Sequence, residues 1–286
     1  MRDPADDLDD ADADDPLPEA PPVDVRDLPI RFSSLKQIDR SPLHYRHAAL
    51  YRGESRLAQR MGTAGHAASF GTPPIAVFPG KVRRGKEWDA FLSANAGAVI
   101  CNAREAAQAR AMAAALRADP VVGPVLFGTD MAYEVEVRWE IMLGGRRRRC
   151  GGRIDALGSV VLVDLKCLRD ASPSKCQHTI RWSDYHTQAV WYADGCERAG
   201  LGWREPMIAV VENTAPYPCV LYQLGPRAID YGRSRYLGWL EKLAVAESNN
   251  AWHGYAQQPA PFEVPDDEPF TLKIDGGEMD LDDAAA

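Results

Sequence analysis

Gly152-Arg153-Ile154-Asp155-Ala156-Leu157-Gly158-Ser159-Val160-Val161-Leu162-Val163-Asp164-Leu165-Lys166 is the stretch whose reading decides the fold. Gly158-Ser159 marks a tight turn, so the segments on either side read as two strands of a hairpin. A two-residue turn pairs Leu157 with Val160, Ala156 with Val161 and Asp155 with Leu162, which places Asp155, Leu162, Asp164 and Lys166 on one sheet face. The third strand is apolar until Asp164, as expected of a central strand, and ionised groups rarely sit on such a strand without partners or a cation. Two carboxylates and an ammonium thus converge where that strand ends. Hard carboxylate oxygens suit Mg²⁺ or Mn²⁺. Such an ion polarises a phosphoryl oxygen and lowers the pKa of a bound water; a lysine beside it orients that water, assists its deprotonation or stabilises the phosphoryl charge. The chemistry suited to the cluster is metal-assisted phosphodiester hydrolysis, although Asp-x-Lys by itself is more often an ordinary salt bridge.

Outward from this hairpin, Tyr133, Val135, Val137 and Trp139 alternate with Glu134, Glu136, Arg138 and Glu140, the period of a half-buried strand. Gly144-Gly145 turns the chain into a second strand, Arg146 to Ala156, and the third runs from Val160 to Lys166. Upstream, a short helix capped by Ser33 or Ser34 ends before Ser41-Pro42, and residues 54–69, 86–94 and 103–118 read as helices. Downstream, Ser183 or Asp184 caps a helix over Tyr185 to Arg198, residues 207–213 and 218–224 read as strands, and Arg227 to Glu247 forms a long closing helix. The expected class is α+β (mixed α/β), a central mixed β-sheet flanked by helices.

The 286 residues, 45% hydrophobic and 26% charged, are sufficient for one large globular core. Residues 1–28 read as a disordered acidic tail, 29–262 as one domain and 263–286 as an acidic C-terminal tail with room for one short strand at Phe270, Leu272 and Ile274. The net charge of −8 divides unevenly: residues 1–24 carry −9 and 263–286 carry −8, leaving +9 on the body between them. A basic body permits phosphate binding. The acidic ends could repel DNA, mimic it or keep the protein in solution. No apolar run approaches membrane-spanning length and the first residues are acidic rather than basic then apolar, which places the protein in the cytoplasm with no membrane partner. Six cysteines without a C-x-x-C pair read as reduced thiols, and no phosphate-loop, nucleophile-elbow or dinucleotide motif is found.

Asp155, nine residues before Asp164-Leu165-Lys166 at the end of an apolar strand, resembles the PD-(D/E)XK nuclease superfamily. Gln188 and Tyr192, at i and i+4 on one helix face, are similar to the Q-x-x-x-Y signature of its exonuclease branches. Gly62-Thr63-Ala64-Gly65-His66 resembles their Gly-x-x-x-His helix. The wider pattern, from Ser33-Ser34-Leu35-Lys36 through Arg83-Arg84-Gly85-Lys86 to Trp252-His253-Gly254-Tyr255, looks most like the exonuclease VIII (RecE-type) and YqaJ-like phage recombination nucleases. That resemblance implies cation ligation by His66, Asp155, Asp164 and the Leu165 carbonyl. It gives Lys166 the water-positioning role, with Gln188 and Tyr192 supporting the site. It further implies 5′-to-3′ degradation of linear duplex DNA from its ends, a trimeric or tetrameric ring, and a single-strand annealing partner of the RecT type. Two departures matter. No cysteine cluster follows Cys219, so the iron–sulfur version of the site is not expected, and Asp164 stands where many relatives carry a glutamate, one methylene longer.

Two basic clusters remain. Arg146, Arg147, Arg148 and Arg149 at a hairpin tip either grip phosphates or are simply solvated, and Arg83, Arg84 and Lys86 near Trp88 carry the same two readings. Glu134 and Glu136 read as the polar face of their strand, with one of them able to approach a second cation. The competing functions are a related metal-dependent endonuclease and a non-catalytic DNA-binding ring protein. Polarity, processivity, strand preference and the number of metal ions are not encoded in these spacings.

Overall fold

The computed structural model describes residues 23–51, 57–80, 82–256, 258–261, 271–274 and 277–280. Ends of the two acidic tails and residues 54–56 of the expected second helix lie outside them. β1 (Ile30–Arg31) leads into α1 (Phe32–Leu35), a 3-10 turn (Lys36–Asp39) and α2 (Pro42–Leu50). Ser41 caps α2 by accepting from the His44 amide, with Pro42 in the first turn where its missing N–H is harmless. α3 (Leu57–Phe70), β2 (Ile75–Val77), α4 (Lys86–Ala94), β3 (Val99–Cys101), α5 (Ala103–Ala118) and α6 (Val122–Leu126) follow. The bounds of α5 match the sequence reading because both ends are specified: Asn102 and Glu105 form a reciprocal capping box, and alanine dominates the interior.

The second half supplies the long strands β4 (Ala132–Leu143), β5 (Arg146–Leu157) and β6 (Val161–Leu168), then α7 (Pro173–Trp182), α8 (Tyr185–Arg198), β7 (Glu205–Glu212), β8 (Cys219–Gln223) and α9 (Pro226–Ser248). β9 (Thr271–Ile274) and β10 (Gly277–Asp280) pair with each other in place of the single expected strand. α7 has no counterpart in the sequence reading. Cys176 is its one buried residue, so no apolar stripe of helical period marks it. Among the described residues no helix is long and apolar enough to cross a membrane.

Six strands form the main sheet. β5 pairs antiparallel with β4 on one edge and with β6 on the other, β6 runs parallel to β7, and β8 closes the far edge antiparallel to β7. α8 and α9 with the N-terminal elements bury one face around Trp191, Tyr236 and Leu243; α3, α5 and α6 bury the other around Met112, Leu116 and Leu126. β6 is buried on both faces, as its two-sided apolarity predicts: Leu162 belongs to the first core, Val163 and Leu165 to the second.

The hairpin register differs from expectation by two residues. Leu157 pairs with Leu162 and Ala156 with Val163, because the loop takes in Gly158 to Val161 and closes with the Gly158 amide on the Val161 carbonyl. An even shift leaves every side chain on its predicted face. Strict alternation nonetheless fails on the neighbouring pair. Tyr133 and Ala156 pack into the α3–α5 core, whereas Val135 and Ile154, two residues along, pack against the α8–α9 core. The faces exchange at Glu134 and Asp155, and Glu134 takes a left-handed backbone with φ 54°.

One expected surface residue is buried. Arg148, read as part of a solvated or phosphate-gripping hairpin tip, is 2% exposed. It pairs with Glu247 of α9 and donates to the Leu28 carbonyl at 3.1 Å. It thereby ties the hairpin to the closing helix and to Val25–Leu28, a stretch placed by composition in the acidic tail but whose Val25 is buried.

Removing one partner of a buried ion pair strands the other, at a cost of about 3–5 kcal/mol. Arg148→Ala is therefore expected to lower stability by about that amount in chemical denaturation, and Arg147→Ala, whose partner Glu140 is exposed, by under about 1 kcal/mol. Left-handed φ at a non-glycine residue costs about 1–3 kcal/mol. Glu134→Gly is expected to be more stable than Glu134→Ala, the reverse of the order at Glu140 on the same strand; equal stabilities at 134 would show that the position is unstrained.

Candidate active site

Beyond Ala156 and Val163 the strands β5 and β6 part, and β1 takes up the vacated edge of β5 at Cys150 and Gly151. The fork leaves backbone groups of β6 without a strand partner. Asp155 meets one of them: its Oδ2 accepts from the Leu165 amide at 2.8 Å. His66, projecting from α3, meets the other, its Nε2 lying 2.8 Å from the Leu165 carbonyl oxygen. The same imidazole presents Nδ1 to Asp155 Oδ1 at 3.5 Å and to Glu134 Oε1 at 3.9 Å. Gly65 lets α3 come this near, since a Cβ there would sit 2.6 Å from Cys167 Sγ on β6. Gly62, the glycine of the sequence motif, faces open space in the cleft instead.

Asp164 is 2% exposed. Lys166 Nζ lies 2.6 Å from its Oδ2, off the direction of a hydrogen bond, so that buried oxygen keeps an unused lone pair. Lys166 donates to Gln188 Oε1 at 3.2 Å and stands 4.5 Å from the Tyr185 ring centroid. The Gln188 amide in turn donates to the Tyr192 hydroxyl at 3.1 Å, and Tyr192 packs on Gly152, where any Cβ would overlap its ring. All six sequence-predicted residues, His66, Asp155, Asp164, Lys166, Gln188 and Tyr192, together with the Leu165 backbone, are thus linked in one network.

Charge compensation shapes their proton affinities. Burial raises the Asp164 carboxyl to about 6, against the pull of the Lys166 ammonium and with the help of the Asp155 charge. Burial acts on Asp155 in the same sense, but the His66 and Lys166 charges and the Leu165 amide outweigh it and hold that carboxyl below its usual range. His66 is lifted to about 10 despite burial, by the Asp155 charge and by hydrogen bonds to Asp155 and Glu134. Lys166 is also held above its ordinary value, since Asp164 and Asp155 overcome its desolvation.

Of these groups His66, Glu134, Asp155, Gln188 and Tyr192 line a cleft of about 690 Å³. His66, Glu134 and Asp155 offer ligand atoms that all lie within 4.8 Å of one another. Asp164 stands outside that set but near enough to feel the charges of Asp155 and His66, and an imidazole with hard carboxylates fits a small divalent cation. The sequence reading put Glu134 and Glu136 on the polar face of their strand, with one of them able to approach a second cation; the reversal of faces at its left-handed backbone turns Glu134 inward. Arg31 and Arg153, also unmarked by any motif, line the same cleft. Arg153 Nε pairs with Glu134 Oε2 at 2.8 Å, and the buried Arg31 Nε has no hydrogen-bond partner.

The two basic clusters are not brought to the cleft. Arg83 is engaged by Glu105 at 2.5 Å and lies over Trp88, while Arg84 and Lys86 are exposed at the start of α4. Arg146, Arg147 and Arg149 are exposed toward the far end of β5, six to nine residues from Asp155, or roughly 20–30 Å along an extended strand.

A protein of Eubacterium rectale provisionally described as an exonuclease superposes with a TM-score of 0.56 at 12% identity, over 84% of this chain and 92% of that one; the likeness is one of fold. LHK-Exo, solved in complex with dAMP, matches with a TM-score of 0.26 at 18% identity, over 68% of this chain and 95% of that one, a similarity too low to bear on the site. Comparison with curated proteins gives no match. The sequence itself matches, over residues 32–260, the family described as a PDDEXK-like domain of unknown function. Those residues run from the lip of the cleft to beyond α9 and include every group of the fork, so the chain belongs to this PDDEXK-like family, DUF3799, within the PD-(D/E)XK nuclease superfamily.

Proposed function

We propose that the protein is a divalent-metal-dependent deoxyribonuclease acting on linear duplex DNA from its ends. The observation that carries this reading is the meeting of Glu134, Asp155, Asp164, His66 and Lys166 at one strand fork beneath an open cleft. His66, Glu134, Asp155 and Asp164 would hold Mg²⁺ or Mn²⁺, which when bound polarises the phosphoryl group and makes a water acidic enough to attack at neutral pH.

The chain's own groups do the rest. Lys166, fixed by Asp164, Gln188 and the Tyr185 face, donates from Nζ to the attacking water or to the phosphoryl oxygens as charge builds on them. Tyr192 holds Gln188, and through it the lysine. In the displacement a water oxygen bonds to phosphorus, the bond from phosphorus to the leaving deoxyribose oxygen breaks, and a proton of the water passes to solvent or to that oxygen. Arg31 and Arg153, paired with Glu136 and Glu134, are the cleft-wall cations that would meet the DNA backbone.

The finer terms rest on the resemblance of the motifs and their spacing to the RecE-type and YqaJ-like enzymes. They are 5′-to-3′ polarity, a role in phage or prophage recombination, a ring of three or four copies, a RecT-like annealing partner, and residence in the cytoplasm. The same reading takes residues 29–262 as the nuclease domain between two acidic tails, with Arg83, Arg84, Lys86, Arg146, Arg147 and Arg149 as outlying phosphate contacts.

Release of acid-soluble nucleotides from end-labelled linear duplex, with a closed circle as control, tests the reading. Mg²⁺-dependent loss from linear DNA alone is expected, with the label position giving polarity. Cut circles would replace it with an endonuclease, and intact DNA of both forms would leave a binding protein. Asp164→Ala and Lys166→Ala are each expected to lower the rate by about 10²–10⁴-fold with the fold retained. His66→Ala should raise the Mg²⁺ concentration needed for half-maximal rate. Wild-type cleavage by either of the first two variants would displace the site.

A further inference from the structure

α7 carries Lys175, His178, Arg181 and Trp182 and no acidic residue between Pro173 and Trp182. Trp182 is 82% exposed, the most of any large apolar side chain among the described residues. An indole so placed forgoes the hydrophobic stabilisation that burial would give it. Lys175, His178 and Trp182 follow one another at i, i+3 and i+7, hence along one helix face. The His178 ring lies nearly parallel to the indole, with centroids 6.2 Å apart and planes at 11°. Among the described residues no ion pair occupies Arg169, Lys175 or Arg181, and all three are exposed.

A protein-binding patch would surround its aromatic anchor with further apolar side chains. Here the other exposed residues of α7 are Pro173 at its start, Ser174, Lys175, Gln177, His178 and Arg181, an aromatic pair set mainly among cations and polar groups. That is the surface suited to unpaired nucleic acid, which stacks bases on aromatic rings and lays phosphates against Lys and Arg. In sequence the helix lies between two groups of the candidate site. α7 begins seven residues after Lys166, and Tyr185, three residues after Trp182, holds the Lys166 ammonium over its ring.

We propose that this face of α7 binds single-stranded DNA adjoining the cut. A base stacks on Trp182 beside His178, and backbone phosphates pair with Lys175 and Arg181. The inference deepens the nuclease reading and rests on it for the source of the strand.

Titration of the full-length protein with an oligothymidylate of about 12 nucleotides in EDTA, read by tryptophan fluorescence, tests it. Trp182→Ala is expected to weaken binding roughly 5- to 150-fold and to abolish much of the quenching, with Trp182→Phe in between. Arg181→Ala should lower the slope of log affinity against log salt by about 0.7. Unchanged oligothymidylate affinity in Trp182→Ala overturns the inference. So does dissociation of a wild-type oligomer by that substitution in sedimentation velocity, which would make the face a contact between copies. Cleavage of linear duplex by the wild type is measured alongside. Cleavage together with Trp182-independent binding defeats this inference alone, whereas Trp182-dependent binding without cleavage supports the surface and defeats the nuclease reading.

Discussion

The hydrogen bond from the Leu165 amide to Asp155 Oδ2 closes the point at which the sheet divides. A buried amide left without an acceptor costs about 1–3 kcal/mol, so two strands can separate inside a core only if something replaces the ladder between them. Asp155 and His66 do so, one at the N–H and the other at the C=O of the same residue, Leu165. The fork then frees the edge of β5 for β1, which brings Arg31 to the cleft beside Gly151 and Gly152. The groups that satisfy the open backbone are also the groups able to ligate a cation. Asp155 is therefore structural and chemical at once, whereas Lys166, whose contacts are side chain to side chain, bears on the chemistry more cleanly.

Burying this many ionisable groups is tolerable because they compensate one another at short range. Lys166 sits against Asp164, His66 against Asp155 and Glu134, and Arg153 against Glu134. The compensation is incomplete at Asp164 Oδ2, which no donor meets in hydrogen-bonding geometry, and at the Nε of Arg31. An unsatisfied carboxylate oxygen on β6 and an unsatisfied nitrogen of Arg31, whose Nη2 reaches Glu136 Oε1 at 3.5 Å, are complementary to a cation and an anion respectively.

Most of this was legible in the sequence wherever one signal acted alone. The period of two fixed β4, the alanine-rich run marked α5, and the apolar run ending in Asp164 and Lys166 fixed β6. The register slipped by two at Gly158-Ser159 because loop length is set by local turn geometry that composition does not specify. Glu134 was not singled out from Glu136 because alternation assigns both to solvent, and only the positive φ that breaks alternation turns Glu134 inward. The arginine run at 146–149 misled in one member: four identical residues on a strand point alternately to two faces, and the third of them turns into the core to meet Glu247. α7 was invisible because a helix that buries little carries little pattern.

The remaining precision comes from two residues with no side chain. α3 delivers His66 and α8 delivers Gln188, and each helix meets the sheet through a glycine, Gly65 against Cys167 and Gly152 against Tyr192. A methyl group at either would hold its helix off the sheet, since the atom opposite is packed and cannot retreat. At Gly65 that displacement would act on the bond from His66 to Leu165. At Gly152 it would pass through Tyr192 and Gln188 to the ammonium of Lys166. The positions of a candidate metal ligand and of the lysine are thus set by van der Waals contact at one remove, in residues that make no contact with either functional group.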